Sequence, residues 1–286
     1  MTTGALAPAP VPATRRILAI WAVLTVIAVP LVVLVLGPHL PPGNLSEEAS
    51  GQRHVNTVLA ALATPVMLGI WVFLAVAIIT FRERGTALAD GPPLRGDTAT
   101  QVTWVVATAV IVIALAGWGT YDLLGPAKGA GGGQGPDPLA VPAKASSALQ
   151  VQVIGQQWAW TFRYPRYGGV ETPELAIPAG RLVELHVTSL DVNHSFWAYQ
   201  LGVKADAIPG SDNVAFVRAR HPGTFEIRCA ELCGLWHGHM HNTGVVMTAS
   251  RFADWIRTQQ AQYAPATKVL PPYYTHYFPD PLRRAG

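Results

Sequence analysis

The sequence predicts an α-helical membrane anchor of two or three transmembrane helices, followed by an all-β sandwich domain. Three observations predict it. Charged residues make up 13% of the 286-residue chain and mean hydropathy is +0.27, against about 25% charged residues in an ordinary soluble domain. The apolar residues concentrate in three long uncharged runs that end by Tyr121. Beyond the third run the pattern changes to short segments that alternate apolar and polar. The same figures exclude other classes. A net charge of +3 is too small to imply a nucleic-acid partner, and two cysteines exclude a disulfide scaffold.

Ile17–Gly37, Val55–Phe81 and Thr98–Tyr121 hold 21, 27 and 24 residues without a charge. About 20 apolar residues cross a hydrocarbon core of ~30 Å. Arg15 and Arg16 precede the first run, and Arg82, Arg84 and Arg95 lie between the second and third. The loop after the first run carries Glu47, Glu48 and Arg53. Basic flanks stay in the cytoplasm, so everything after Tyr121 is expected outside. The first run, residues 1–37 with its leader, reads as a span or a long export signal. Signal cores run to about 7–15 residues, so its length favours a retained span. The expectation is a multi-pass protein of a bacterial-type plasma membrane. Residues 38–124 form a transmembrane hairpin, and the C-terminal half lies on the outer, periplasmic or extracellular, face.

Residues 125–148 are a Gly/Pro/Ala linker. From there, Leu149–Ile154, Leu182–Val187, Val214–Arg218 and Phe225–Cys229 alternate with period two, and Gly244–Thr248 is a short apolar run. Pro178-Ala-Gly180, Pro209-Gly210 and Pro222-Gly223 supply turns between them. Short strands at this spacing read as a sandwich or barrel, here over 149–253. Ser250 is expected to cap a helix running to Gln262. Residues 254–286 complete that helix and a tail with Pro271, Pro272, Pro279 and Pro281.

Both cysteines fall in one run, Cys229-Ala-Glu-Leu-Cys-Gly-Leu-Trp-His-Gly-His-Met240, spaced Cys-x3-Cys-x3-His-x2-Met. His194 lies upstream in Asp191-Val-Asn-His-Ser195. Four chemistries are open to such a set. A disulfide would close too short a loop to stabilise much. Structural zinc takes Cys and His but does not choose a thioether. A mononuclear blue-copper site uses one Cys, two His and a weak Met, which leaves one thiolate over. Two thiolates on one loop can bridge two copper ions, with the remaining donors divided between them, and soft thiolate and thioether ligands select copper. No position is evidently open for substrate, so such a site would pass electrons rather than make bonds.

The Cys-Ala-Glu-Leu-Cys-Gly-x-x-His-x-x-Met run, with Asp-Val-x-His-Ser-Phe and Lys204-Ala-Asp-Ala-Ile-Pro-Gly210, resembles subunit II of the haem–copper cytochrome c oxidases. Gly155-Gln-Gln-Trp-Ala-Trp160 is similar to that family's Gln-Trp-x-Trp segment. The resemblance covers about residues 54–253 and implies that the sandwich is cupredoxin-like. It implies a dinuclear copper centre (CuA) of two copper ions, with Cys229 and Cys233 as bridging thiolates. His194 and His237 would bind one copper each, Met240 would be the weak ligand on one, and the Glu231 carbonyl would serve the other. It further implies that the Glu231 carboxylate reaches a magnesium ion shared with subunit I, and that electrons come in through Trp158. The partners implied are subunit I carrying haem and copper, a subunit III, cytochrome c or another small redox donor, and membrane lipid, with no nucleic acid. By this register His239 and His241 are not ligands, His186 is a strand residue and His221 a turn residue. Trp160 is sandwich core, and Trp236 is expected to cover the copper loop.

The chain departs from the family in three places. Thr161-Phe-Arg-Tyr-Pro-Arg166 carries two arginines where relatives carry carboxylates. Residues 151–250 hold eight acidic and seven basic side chains, a weak field for steering a basic donor. No Cys-x-x-Cys-His occurs, so no covalent haem is expected. Gln101 stands where relatives have a glutamate at a proton path, leaving Asp97 as the nearby titratable group. The expected activity is electron input to an oxidase that reduces oxygen to water. The alternative is the dicopper subunit of a nitric oxide reductase. A quinol oxidase subunit would lack the copper ligands, and a copper carrier would not complete its ligand set from a distant strand.

Overall fold

The computed structural model describes residues 11–80, 82, 96–124 and 147–267. Arg84, Arg95, the linker up to residue 146 and the four tail prolines lie outside the described residues. The chain divides into two compact units. One holds the residues up to Leu40 and His54–Gly117, the other Pro41–Arg53 and the residues from Trp118 onward.

In the first unit, α1 (Val11–Leu31) continues through one wide turn, Val32–Leu36, into a tight one, Gly37–His39. α2 spans Glu47–Thr80 and α3 Thr98–Leu124. Among the described residues, three helices are long and apolar enough to cross a membrane: Thr14–His39, Glu47–Thr80 and Thr98–Tyr121. Their surfaces leave Val26, Ile79 and Ile113 at least 70% exposed, which suits lipid rather than water. An indole N–H in such surroundings needs an acceptor. Trp21 Nε1 donates to the Pro65 carbonyl at 2.7 Å. Asp97 is a helix cap. Its carboxylate accepts from Thr100 Oγ1 at 2.6 Å and Ala99 N at 3.1 Å, and these bonds hold its pKa below the ordinary carboxylate value.

The second unit is a sandwich of two five-stranded sheets. The strands are β1 (Leu149–Gln156), β2 (Ala159–Tyr164), β3 (Val170–Thr172), β4 (Ala176–Pro178), β5 (Leu182–Ser189), β6 (His194–Ala198), β7 (Val203–Ala207), β8 (Asn213–Arg218), β9 (Gly223–Cys229) and β10 (His241–Met247). The sheet orders are β3-β2-β1-β5-β8 and β4-β10-β9-β6-β7. The β1–β5 and β4–β10 pairs are parallel, and the rest are antiparallel. Alternate residues Trp160, Phe162 and Tyr164 of β2 enter the core, where Trp160 and Phe162 meet Phe196 edge-on at 5.6 and 6.3 Å. The Tyr164 hydroxyl donates to the Ala176 carbonyl and accepts its N–H, at 2.8 and 2.9 Å. Burial raises its pKa, so the phenol stays protonated.

α4 (Ala249–Thr267) closes one side, with Phe252 against Tyr164 and Tyr167, Trp255 against Tyr164, and Ile256 in the core. It corrects the expected start at Ser250 and end at Gln262. The capping hydroxyl is that of Thr248, which accepts Arg251 N at 3.4 Å. A cap must reach the amide three residues on, and with the helix beginning at Ala249 only Thr248 is so placed.

Residues ahead of the apolar run of α2 pack into the sandwich. Leu45 joins the core, and Ser46 pairs with Ala219 as an isolated bridge. Ser46 Oγ donates to the Leu201 carbonyl at 2.6 Å, and Gln52 Nε2 to the Gly202 carbonyl at 2.6 Å. Gly202 has φ +66°, and a Cβ there would lie 2.9 Å from the Ala49 backbone, so glycine is required twice over. The sequence showed α2 from Val55 only because a hydropathy run does not register the polar turns that precede it.

On the outward face of β5, His186 Nδ1 lies 2.8 Å from Asp212 Oδ2, and Nε2 lies 3.6 Å from Glu184 Oε1. Burial opposes its protonation, but the bond to Asp212 and the charges of Asp212 and Glu184 outweigh it, and its pKa is raised. A raised folded-state value stabilises the fold fully below the unfolded pKa of about 6.5, and the contribution is lost as pH rises through the folded value. Denaturant unfolding should therefore show the gap between wild type and His186→Gln narrowing as pH rises from about 6 to about 9. A constant gap would contradict the assignment.

Candidate metal centre

β6 brings His194 to the β9–β10 loop, because Phe196 pairs with Cys229 and Ala230 N donates to the Ser195 carbonyl at 2.8 Å. At the far end of the loop, Cys229 N donates to the Met240 carbonyl at 3.0 Å. Between these clamps a tight turn, His237–His239, is held by His237 N to Gly234 O at 3.2 Å and Met240 N to His237 O at 3.2 Å. The loop thus returns on itself, and residues distant in sequence face one another.

All six donors expected from the sequence converge. Cys229 Sγ lies 3.7 Å from Cys233 Sγ, 3.8 Å from His194 Nδ1 and 3.2 Å from the Glu231 carbonyl oxygen. Cys233 Sγ lies 3.5 Å from His237 Nδ1 and 3.9 Å from Met240 Sδ. Both cysteines are free thiols, and the ligand atoms of His194, Cys229 and Cys233 fall within 4.8 Å of one another. Burial, then the neighbouring Cys229, push the Cys233 thiol up to about 12. The metal-free Cys233 thiol therefore keeps its proton, and a metal binding there must displace it. Two thiols, two imidazoles, a thioether and a carbonyl form a soft donor set that fits copper.

The surroundings fix these donors. His194 is fully buried, and its Nε2 lies 2.9 Å from Asp191 Oδ1, which turns Nδ1 toward the sulfurs. The Asp191 carboxylate also accepts Gln157 N at 2.6 Å and Val192 N at 2.7 Å. Burial raises its pKa, but these hydrogen bonds and His194 together lower it below the usual value. Behind the ring, a Cβ on Gly155 would lie 3.0 Å from Trp160 and 3.1 Å from His194, so the residue must be small. Trp160 is core, 1% exposed, with its ring edge-on to His194 at 5.9 Å. Trp158 Nε1 and Gln157 Nε2 both donate to the Cys233 carbonyl, at 3.1 and 2.9 Å.

Asp191 and Gln157 are the functional residues that the ligand spacing did not reveal. The available signal was an aspartate three residues before a ligating histidine, at a turn. Other expectations fare differently. His239 and His241 are exposed and stand outside the donor cluster, His186 is in β5, and His221 sits at a bend. Trp236 does not cover the loop. Its ring is 49% exposed and lies edge-on to His239 at 5.1 Å, because the turn at His237–His239 carries both side chains outward. Arg163 is 1% exposed and paired with Glu171 at 2.5 Å, so only Arg166 of the two arginines reaches the surface.

A family model described as cytochrome c oxidase subunit II, periplasmic domain, matches residues 172–247. Cytochrome c oxidase subunit 2 of Thermostichus vulcanus is 30% identical over 85% of this chain and 86% of its own length. The chain belongs to the cytochrome c oxidase subunit II family. Subunit 2 of a Synechocystis strain is likewise 30% identical, covering 76% of this chain and 75% of that one. The crystal structure of the periplasmic domain of cytochrome oxidase subunit II from Bradyrhizobium japonicum is 31% identical over 43% of this chain and 99% of that one, with a TM-score of 0.41. With its apolar helices and matched periplasmic domain, this subunit II is membrane-anchored, and its candidate copper domain lies on the outer face.

Replacing Asp191 by alanine removes the acceptor that orients His194 and leaves Gln157 N without its partner. Copper affinity, measured by competition with a chelator, should fall about 10–100-fold. Unchanged affinity would show that His194 is held by packing alone.

Proposed function

We propose that this chain is the electron-input subunit of a membrane cytochrome c oxidase and that its copper domain holds two copper ions. Cys229 and Cys233 would be shared by both ions, His194 and His237 would serve one each, and Met240 and the Glu231 carbonyl would complete the two sets. The convergence of all six donors around the Cys229–Cys233 pair carries this reading. When bound, copper supplies one-electron redox chemistry with the charge change spread over two ions.

The protein's own part is to hold the donors still. The loop clamps, the Asp191–His194 bond and the buried Met240 restrict ligand movement, which keeps rearrangement on a change of charge small. Trp158 is the proposed point where electrons come in, supported by its indole bond to a ligand's backbone. The exposed Glu231 carboxylate is a hard oxygen donor suited to magnesium at the junction with subunit I. Within the complex, subunit I would carry the haem and copper at which oxygen becomes water, and a subunit III and lipid would complete the surroundings. The anchor is proposed to keep all three apolar helices, with 1–37 as the first span, 38–124 as the hairpin, 125–148 as the linker, 149–253 as the copper domain and 254–286 as the end of α4 and the tail. The named relatives are cytochrome c oxidase subunits, which favours oxygen over nitric oxide as the acceptor at subunit I.

In the purified complex, Cys229→Ser should lose copper from this subunit and reduce oxygen consumption with a soluble donor to background. His239→Ala should retain both copper and activity. Copper loss in the His239 variant would overturn the ligand register.

A further inference from the structure

A metal ion that fills this site has to reach donors that the protein covers. His194, Cys229, Cys233 and Met240 are buried, and His237 is half-buried. Two approaches are covered by neighbouring groups. Asp191 and the Trp160 ring stand against His194. Gln157 and Trp158 both bond to the Cys233 carbonyl. A third side holds a cavity of about 520 Å³, lined by Cys229, His237 and Met240, three of the donors, and by His241. One water molecule needs only about 10–15 Å³ of such space, so a metal ion fits there with part of its hydration shell.

The other side chains of the cavity decide what can cross it. Arg228 lines it and would repel a cation, but its guanidinium is paired with Glu226. Asn242 is held by its amide on the Pro173 carbonyl. Among the described lining residues outside the donor set, His241 is the one with an imidazole, a ligand suited to copper. It is exposed, at the first position of β10, opposite Arg228. Successive side chains of an extended chain point opposite ways. Met240 turns inward to Cys233, and its neighbour His241 turns to the solvent side of the cavity. The rings of His194 and His186 are engaged by carboxylates, whereas that of His241 has no hydrogen-bond partner among the described residues. A single imidazole holds copper less firmly than two thiolates with their companion donors, so transfer from His241 inward is downhill.

We propose that His241 is the entry ligand of the copper centre. It captures copper on the solvent side of the cavity, passes it to His237, Met240 and the two cysteines, and does not remain bound. Each step is a ligand exchange in which copper gives up one donor for the next, with no change of oxidation level. This rests on the proposed copper-holding role and adds the route by which the site fills. An entry ligand that leaves the final affinity unchanged must speed arrival and departure by the same factor, because affinity is the ratio of the two rates.

The test uses the full-length chain in detergent, stripped of copper and kept reduced. Cuprous ion held by a coloured chelator is the probe, and loss of colour reports uptake. An excess of a colourless chelator then reports release, and final copper content is measured for each variant. His241→Ala and His241→Gln should slow uptake about tenfold, slow release by the same factor, and reach the wild-type copper content. His241→Met, with a thioether that also suits copper, should stay near the wild-type rates. His239→Ala should do the same, since His239 does not line the cavity. Unchanged uptake in the alanine variant would overturn the proposal. Faster release would overturn it too, because it marks a loosened site rather than a lost route. A lower final copper content in the alanine variant would make His241 a resident ligand and contradict the entry role. A methionine variant as slow as glutamine, or a His239 variant as slow as His241→Ala, would count equally against it. A wild-type chain that binds no copper would instead sink the reading on which the proposal rests.

Discussion

Everything at the metal end of this protein depends on one pairing, β6 against β9. Phe196 opposite Cys229, and the Ala230 amide on the Ser195 carbonyl, set His194 against a loop more than thirty residues further along the chain. A shift of one residue in that register would turn His194 to the opposite face of its sheet. The aromatic core prevents the shift, because Phe196 is fixed between Trp160 and Phe162 of the facing sheet. The sandwich therefore specifies the position of His194 at the metal site through its packing.

A second constraint acts on individual donors. Imidazole can present either nitrogen, and Asp191 decides which by occupying Nε2 of His194. The same carboxylate receives the Gln157 amide, and Gln157 and Trp158 in turn hold the Cys233 carbonyl. One small network thus orients a ligand on β6, steadies the backbone of a ligand in the loop, and places an aromatic ring at the surface. Its members come from three separated segments, so a change at Asp191 is felt at both the imidazole and the thiol sides of the centre.

Much of this was readable in the sequence because the relevant signals are local. Uncharged length marks spans, period two marks strands, and Cys-x3-Cys-x3-His-x2-Met places four donors on one loop. The strands that sequence reading passed over, β2, β3, β4, β6 and β7, have three to six residues each. That is too short for alternation to stand out, and β6 carries His194. The start of α4 was misplaced by two neighbouring hydroxyl residues on either side of Ala249, Thr248 and Ser250, of which only one has the right offset from a free amide. Arg163 read as a surface charge because its partner Glu171 belongs to the neighbouring strand. Trp236 read as a cover because a bulky apolar residue beside a metal loop ordinarily packs inward, whereas the turn at His237–His239 directs it to solvent. Each of these depends on a contact between segments that linear spacing does not encode.

The most direct measurement is copper stoichiometry combined with electron paramagnetic resonance on the oxidised subunit in its complex. Two copper ions per copper domain, with one unpaired electron shared equally between them, are expected from two thiolates held in common. A single ion with a localised spin, or a Cys229–Cys233 disulfide with no copper bound, would contradict the dinuclear centre and the electron-input role built on it.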